Sequence, residues 1–155
     1  MSQIALAYVV PFANVPKLAA ALKEPNTKSF WQELEQSGKA VEPAYPFGGH
    51  VLSVLLAQWE EHDIQMPLSV EQAPLGELLL ADVGLVVCAS KSDAVELLKP
   101  LKEPMSLDNL RDYFNEFTAQ DFDEAGIAMQ SGWDYVVRGL ESVESEDDYY
   151  LLFIA

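Results

Sequence analysis

A chain of 155 residues is long enough to form one domain with a substantial core, and half of its residues are apolar, which excludes a disordered chain. Its 25 acidic and 9 basic residues give a formal net charge of −16 at pH 7. Because nucleic acid and anionic membrane surfaces are bound through clustered Lys and Arg, this charge excludes both as partners.

Three segments of consecutive apolar residues predict buried strands. Residues 4–10, 85–89 and 149–155 carry apolar side chains on both faces of an extended chain, so each is expected to be covered on two sides. The segment at 85–89 leads directly into a helix, and we interpret it as a central strand. Because the other two segments lie at the chain ends, both termini are expected in one sheet with mixed strand directions. Residues 78–81 form a shorter candidate strand.

Apolar residues at helical spacing occupy the regions between these strands. They predict helices over residues 15–22, 30–36, 51–59, 94–98, 107–117 and 133–143. The candidate N-caps are Asn14, Ser29, Ser106, and either Ser90 or Ser92, and Pro100 is expected to break the fourth helix. In the fifth helix, the side chains expected to point inward are Leu107, Leu110, Phe114 and Phe117.

The predicted fold class is therefore α+β. We expect a single mixed β-sheet containing both chain termini, covered by amphipathic helices, in one domain over residues 1–155.

The sequence contains no motif for metal binding or covalent catalysis. The two histidines, His50 and His62, would point about 120° apart on one helix, so they cannot share an ion. Residues 121–126 resemble the first half of a calcium loop, but Ala125 and Gly132 stand where oxygen ligands are needed. A Gly-x-Ser-x-Gly turn and a phosphate-binding loop are also absent. We expect no metal and no cofactor.

A small group of amphipathic side chains near loops is the candidate ligand-binding site. The group contains Tyr45, His50, Trp59 and Trp133, and the candidate ligand-binding residues are Tyr45, His50 and Trp133. A histidine just after Gly-Gly can act as an acid, a base or a ligand contact, although helix capping or partial burial is its commoner role. Both tryptophans lie on apolar helical faces, where core packing is commoner than ligand stacking.

The cysteine content and hydropathy favour the cytoplasm. Cys88 cannot form an internal disulfide, and its apolar neighbours predict a buried thiol. No apolar stretch approaches about 18 residues, and no signal-peptide pattern is visible. We expect a cytoplasmic protein that is a monomer or a homodimer.

Several features in order resemble a known family. They are an N-terminal strand and helix, the helical segment His50-Val-Leu-Ser-Val-Leu-Leu56, the segments 84–90 and 92–98, a turn with Leu110, Tyr113 and Phe114, Trp133, and an apolar C-terminal strand. This order is similar to that of the YfbM-like bacterial proteins, a family of unknown function, and implies an α+β fold. The family's helix carries Trp-His, a second His three positions on, and Leu-Leu. His50 and Leu55-Leu56 match, whereas Gly49 and Ser53 occupy the other two positions. The resemblance implies no catalytic residue or cofactor.

Three functions are compatible with the sequence. The charge and the missing catalytic motifs favour a non-enzymatic binding protein, of inhibitor or immunity type, that meets a basic protein, although acidity also serves solubility alone. A small enzyme or ligand-binding domain requires a pocket between residues 43–50 and the Trp133 helix, with His50 as acid or base. A structural or oligomerisation domain requires an exposed apolar patch.

Overall fold

A computed structural model describes residues 3–67, 81 and 83–155 of the chain. Its described strands are β1 (Ala5–Pro11), β2 (Lys39–Ala40), β3 (Leu85–Ser90) and β4 (Asp148–Ile154). They form one sheet in the order β2-β1-β4-β3. The expected α+β class is confirmed, and so is the presence of both chain-terminal strands in one sheet.

Two expectations about the sheet are wrong. The central strand is β4, which pairs with β1 on one side and with β3 on the other, so that β3 ends the order of the described strands. Every pairing between described strands is antiparallel. Because β4 separates β1 from β3, these two run in the same direction without pairing, and the mixed directions we expected do not occur among them. The candidate strand at 78–81 falls outside the described residues except for residue 81.

Helices fill the intervals between these strands. A short 3-10 turn (Phe12–Asn14) leads into α1 (Val15–Ala21), followed by α2 (Lys28–Ser37), α3 (Gly49–Glu61), α4 (Lys91–Leu101), α5 (Leu107–Thr118) and α6 (Ala125–Glu141). Each predicted helix is present. Pro100 lies inside the last turn of α4 and does not end it, and α6 begins at Ala125 instead of Trp133.

Both faces of the sheet are covered, as its apolar strands require. Along β4, Tyr149, Leu151 and Phe153 face one buried cluster and Tyr150, Leu152 and Ile154 face the other. Helices α1 and α2 contribute Leu18, Phe30 and Leu34 to the first cluster. Helices α3, α4 and α6 contribute to the second, and α5 packs on α3 and α6.

A glycine allows α6 to approach the sheet closely. A Cβ added at Gly139 would overlap the ring of Tyr150, whose side chain is fully buried on β4. The contact between helix and strand therefore depends on the missing side chain, since a packed core does not accept even one extra carbon without a shift.

The helix caps agree with the sequence in two cases out of four. Ser90 forms a complete capping box with Asp93 at the start of α4, and the Ser106 hydroxyl accepts from the Asn109 N–H. Asn14 does not cap α1 and instead donates to the Ser37 carbonyl. Ser29 lies inside α2, which begins one residue earlier.

Candidate functional site

Tyr45 is buried and anchors its loop to α6. Its side chain is 8% exposed, and its hydroxyl donates to the Ala128 carbonyl over 2.9 Å. The ring packs against Phe47 and Tyr135, with centroids 5.8 and 5.7 Å away. Burial raises the pKa of Tyr45. The hydroxyl therefore serves the fold and stays protonated.

Trp133 is part of the core between α3 and α6. It is 2% exposed, its Nε1–H donates to the Leu101 carbonyl over 3.0 Å, and its ring meets Trp59 edge to face at 4.9 Å. Trp133 also contributes to the wall of a cavity of about 310 Å³ beside Leu98 and Val137. Both tryptophans thus have the packing role that their helical faces indicate.

His50 lies at the surface, in the first turn of α3. Its side chain is exposed, and its ring centroid is 6.3 Å from that of Phe114 on α5. None of the hydrogen bonds found among the described residues involves the imidazole.

None of five cavities formed by the described residues has all three candidate residues in its wall. Tyr45 reaches α6 at Gly132, where an added Cβ would lie 3.4 Å from the hydroxyl, but Trp133 turns toward Leu101. Five cavities among the described residues have neither Tyr45 nor His50 in their walls. None of these five is the pocket that an enzyme with His50 as acid or base would need, and that role stays a prediction.

The largest of these cavities lies at the β2 edge of the sheet. It has a volume of about 510 Å³, and the strand residues Lys39 and Asp148 line it together with Glu42 and Glu144 from the adjoining loops. Its charged side chains are mostly acidic, but no histidine or cysteine faces it. This groove belongs to the acidic surface, and its serines and carboxylates are not accompanied by a histidine that would activate a nucleophile.

Carboxylates dominate the surface and few of them are paired. Every described Asp and Glu side chain is exposed or half-buried. The ion pairs among the described residues join Lys99 to Glu96 at 2.9 Å and Arg111 to Asp108 and Asp112 at 3.3 and 3.0 Å.

Two of the scarce positive charges bind backbone carbonyls. The Lys91 Nζ donates to the Val143 carbonyl over 2.9 Å, and the Arg138 guanidinium donates to the Pro43 carbonyl over 3.3 Å. Arg138 also lies 5.9 Å from the centroid of the Tyr135 ring. These two cations bond to the carbonyls of Val143 and Pro43, and neither is among the ion pairs found between described residues.

An aromatic pair on α5, half-buried Tyr113 and exposed Phe117, lies near carboxylates. The rings of Tyr113 and Phe117 stack with centroids 5.7 Å apart and an angle of 23°, and Phe117 is 58% exposed. Burial raises the pKa of Tyr113, and the nearby carboxylates of Glu61 and Glu60 raise it further. Exposed Glu116 precedes Phe117 on the same helix. We call these five residues, Tyr113, Phe117, Glu60, Glu61 and Glu116, the aromatic–acidic patch.

Sequence reasoning missed this patch because it placed Phe117 and Leu107 inside. Leu110 and Phe114 are buried as expected, but Phe117 and Leu107 are 58% and 44% exposed. The useful signal was the spacing of Tyr113 and Phe117, which lie four residues apart and therefore stack on one flank of the helix.

Neither a search for metal-ligating side chains among the described residues nor comparison with known proteins identifies a further functional site. Among residues 3–67, 81 and 83–155, no group of three His, Cys, Asp or Glu side chains is placed to hold a metal ion. Nor is any helix in these ranges long and apolar enough to cross a bilayer. Comparisons with family models, curated proteins and solved structures give no match. The resemblance to YfbM-like proteins stays a prediction.

Proposed function

We propose that this chain is a non-enzymatic binding protein whose acidic surface meets a basic protein partner. The observation that carries the proposal is the large number of exposed carboxylates that have no ion-pair partner among the described residues. The formal charge of the whole chain is −16 at pH 7. A surface potential of one sign attracts an oppositely charged partner and speeds its encounter.

The small number of cations supports this proposal. Nine basic side chains stand against 25 acidic ones in the sequence, and the ion pairs found among the described residues engage Lys99 and Arg111. Large parts of the surface therefore keep a negative potential that a basic protein can neutralise.

The alternative functions have less support from the described residues. A catalytic role for His50 needs a concave pocket, and the cavities described above do not include it. Self-association would bring two chains of formal charge −16 together, and like charge opposes such contacts.

Affinity capture at two salt concentrations tests the proposal. The immobilised chain is incubated with lysate of its source cells, beside an unrelated folded protein of similar net charge. We expect the chain to retain a basic protein that the control does not retain, and we expect that retention to fall as ionic strength rises, because salt screens exposed charges.

The captured protein must then form a defined complex when purified. Calorimetric titration should give a simple whole-number stoichiometry and a dissociation constant that increases with salt. Failure to retain any basic protein beyond the control, or salt-independent retention, would contradict the proposal.

A further inference from the structure

We infer that the aromatic–acidic patch is the docking surface for an arginine-bearing segment of a basic protein. This inference rests on the proposed function and adds the location and the side chain that the partner supplies. Its starting point is Phe117, which is 58% exposed and is stacked on Tyr113 although the spacing of α5 predicts it to be buried. Large aromatic side chains in such positions are typical of binding surfaces, where they provide apolar area without much loss of rotamer freedom.

The electrostatic environment of this aromatic pair selects a cation. Glu60 and Glu61 close α3, and both carboxylates act on the Tyr113 hydroxyl. The C-terminal end of a helix carries a partial negative charge that favours cations, yet the last turn of α3 contains no basic residue. The acids therefore add to the helix dipole instead of opposing it.

The patch has no cation of its own among the residues that the structure describes. Glu60, Glu61 and Glu116 are absent from the ion pairs found there, and the guanidinium of Arg111 is already held by Asp108 and Asp112. An incoming positive charge would thus meet the carboxylates of Glu60 and Glu61 near Tyr113 and the exposed ring of Phe117, with Glu116 at the preceding position of the chain. This complementarity of charge is what defines the partner.

Arginine fits this combination better than lysine. Its planar guanidinium stacks on an aromatic ring while its N–H groups form paired hydrogen bonds with a carboxylate. The ammonium of lysine is compact and strongly hydrated, so it gains less from the ring face of Phe117 or Tyr113.

The test compares hexaarginine and hexalysine, two peptides of equal length and formal charge, by fluorescence anisotropy at low ionic strength. We expect hexaarginine to bind more tightly. We expect Phe117→Ala to weaken hexaarginine binding about threefold to fivefold, the size of an exposed cation–π contact. The same change should have a smaller effect on hexalysine. Glu61→Gln should weaken both peptides.

Two matched controls separate the patch from general acidity. Val95→Ala shortens another exposed apolar side chain, which is 46% exposed on α4. Glu24→Gln removes the charge of an exposed carboxylate that lies between α1 and α2, outside the patch. Neither change should alter the preference for arginine. Amide NMR shifts caused by hexaarginine should concentrate at residues 60–61 and 113–117.

Equal binding of the two peptides, the same affinity for Phe117→Ala and Val95→Ala, or no binding at all would overturn the assignment of the patch. The proposed function is judged separately, by whether a basic protein is captured in a salt-dependent manner. Capture without an arginine preference at Phe117 would leave the acidic surface as the binding feature and remove only this location.

Discussion

Two buried tyrosines on facing elements show that the contribution of a buried hydroxyl to stability depends on whether it has a hydrogen-bond partner. The hydroxyl of Tyr135 on α6 accepts a hydrogen bond from the Ala7 N–H of β1 over 2.8 Å. The hydroxyl of Tyr150 on β4 is also buried, but it finds no partner among the described residues. The Tyr135 hydroxyl satisfies the N–H of Ala7, which strand pairing leaves without an acceptor. The Tyr150 hydroxyl is removed from water without gaining a hydrogen bond among the described residues.

This contrast predicts opposite effects for the same chemical change. Tyr135→Phe leaves the Ala7 N–H buried and unsatisfied, so we expect the free energy of unfolding to fall by about 1–3 kcal/mol. Tyr150→Phe removes a polar atom that already lacks a partner, so we expect stability to be unchanged or higher. Urea unfolding of both variants measures the difference. Equal losses would show that the Ala7 contact does not stabilise the fold.

The candidate site residues show what sequence patterns cannot supply at this scale. Apolar helical spacing correctly indicated that Trp133 and Trp59 pack in the core. However, Tyr45 donates to a carbonyl 83 positions away and Trp133 to one 32 positions away. Local spacing contains no information on such distant acceptors, so the hydroxyl and the indole N–H were left as candidates for ligand binding.

At the scale of single elements, the start of α4 can be tested directly. The sequence offers Ser90 and Ser92 as caps, and the structure selects Ser90, whose side chain accepts from the Asp93 N–H while the Asp93 carboxylate accepts from the Ser90 N–H. We expect Ser90→Ala to cost about 1 kcal/mol of stability, the usual value of an N-cap. Ser92→Ala is the matched control and should change stability by less than about 0.5 kcal/mol. Thermal unfolding followed by circular dichroism would measure both, and equal effects would contradict the cap assignment.

The last strand should be indispensable because it is central. β4 pairs with β1 and with β3, and its side chains enter both buried clusters. We expect a chain lacking residues 149–155 to lose cooperative unfolding, since its neighbours would become separated edges with no shared core. Removal of Ala155 alone, which is exposed and whose backbone bonds to Ile4, should leave a cooperative transition. A shortened chain without residues 149–155 that still melts cooperatively would refute this role.

Element identity was predictable from the sequence, but element arrangement was not. Apolar runs and helical spacing depend on local patterns, and they gave the buried strands and each of the six helices. Strand order depends on which apolar faces meet in space. In the structure β4 lies between β1 and β3. The sequence instead favoured residues 85–89, which form β3, as the central strand. Phe117 was misplaced for a related reason, because helical spacing alone cannot show which apolar positions a neighbouring element covers.

At the scale of the whole molecule, the charged side chains lie at the surface and the apolar side chains lie in the core on the two faces of the sheet. The sheet lies between α1 and α2 on one face and α3, α4 and α6 on the other, and the described carboxylates remain at the surface. The acidic surface is therefore free to vary with little effect on the core. Exposed side chains such as those of Phe117 and Glu61 can therefore be changed with little expected loss of stability, as the binding test requires of its variants.

Buried tyrosines connect this core to pH. Burial raises the pKa of Tyr45, Tyr135 and Tyr150 above the value of 10.0 that tyrosine has in an unfolded chain, and the hydrogen bond from Ala7 opposes part of the increase at Tyr135. Below about pH 10 the phenols are protonated in both states, and their contribution to stability is fully present. As the pH rises further, the unfolded chain loses phenolic protons that the folded chain retains, so stability falls.

We therefore expect the free energy of unfolding to decrease steeply above about pH 10, with each strongly shifted tyrosine contributing up to about 1.4 kcal/mol per pH unit. Urea unfolding between about pH 8 and about pH 11 measures this slope. Tyr150→Phe provides the control, because it keeps the net charge below pH 10 and removes one fully buried phenol. The decrease in its free energy of unfolding per pH unit should be smaller than that of the parent chain by the contribution of one tyrosine, up to about 1.4 kcal/mol per pH unit. Identical slopes would mean that Tyr150 ionises as easily in the folded chain as in the unfolded one, which its complete burial on the central strand should prevent.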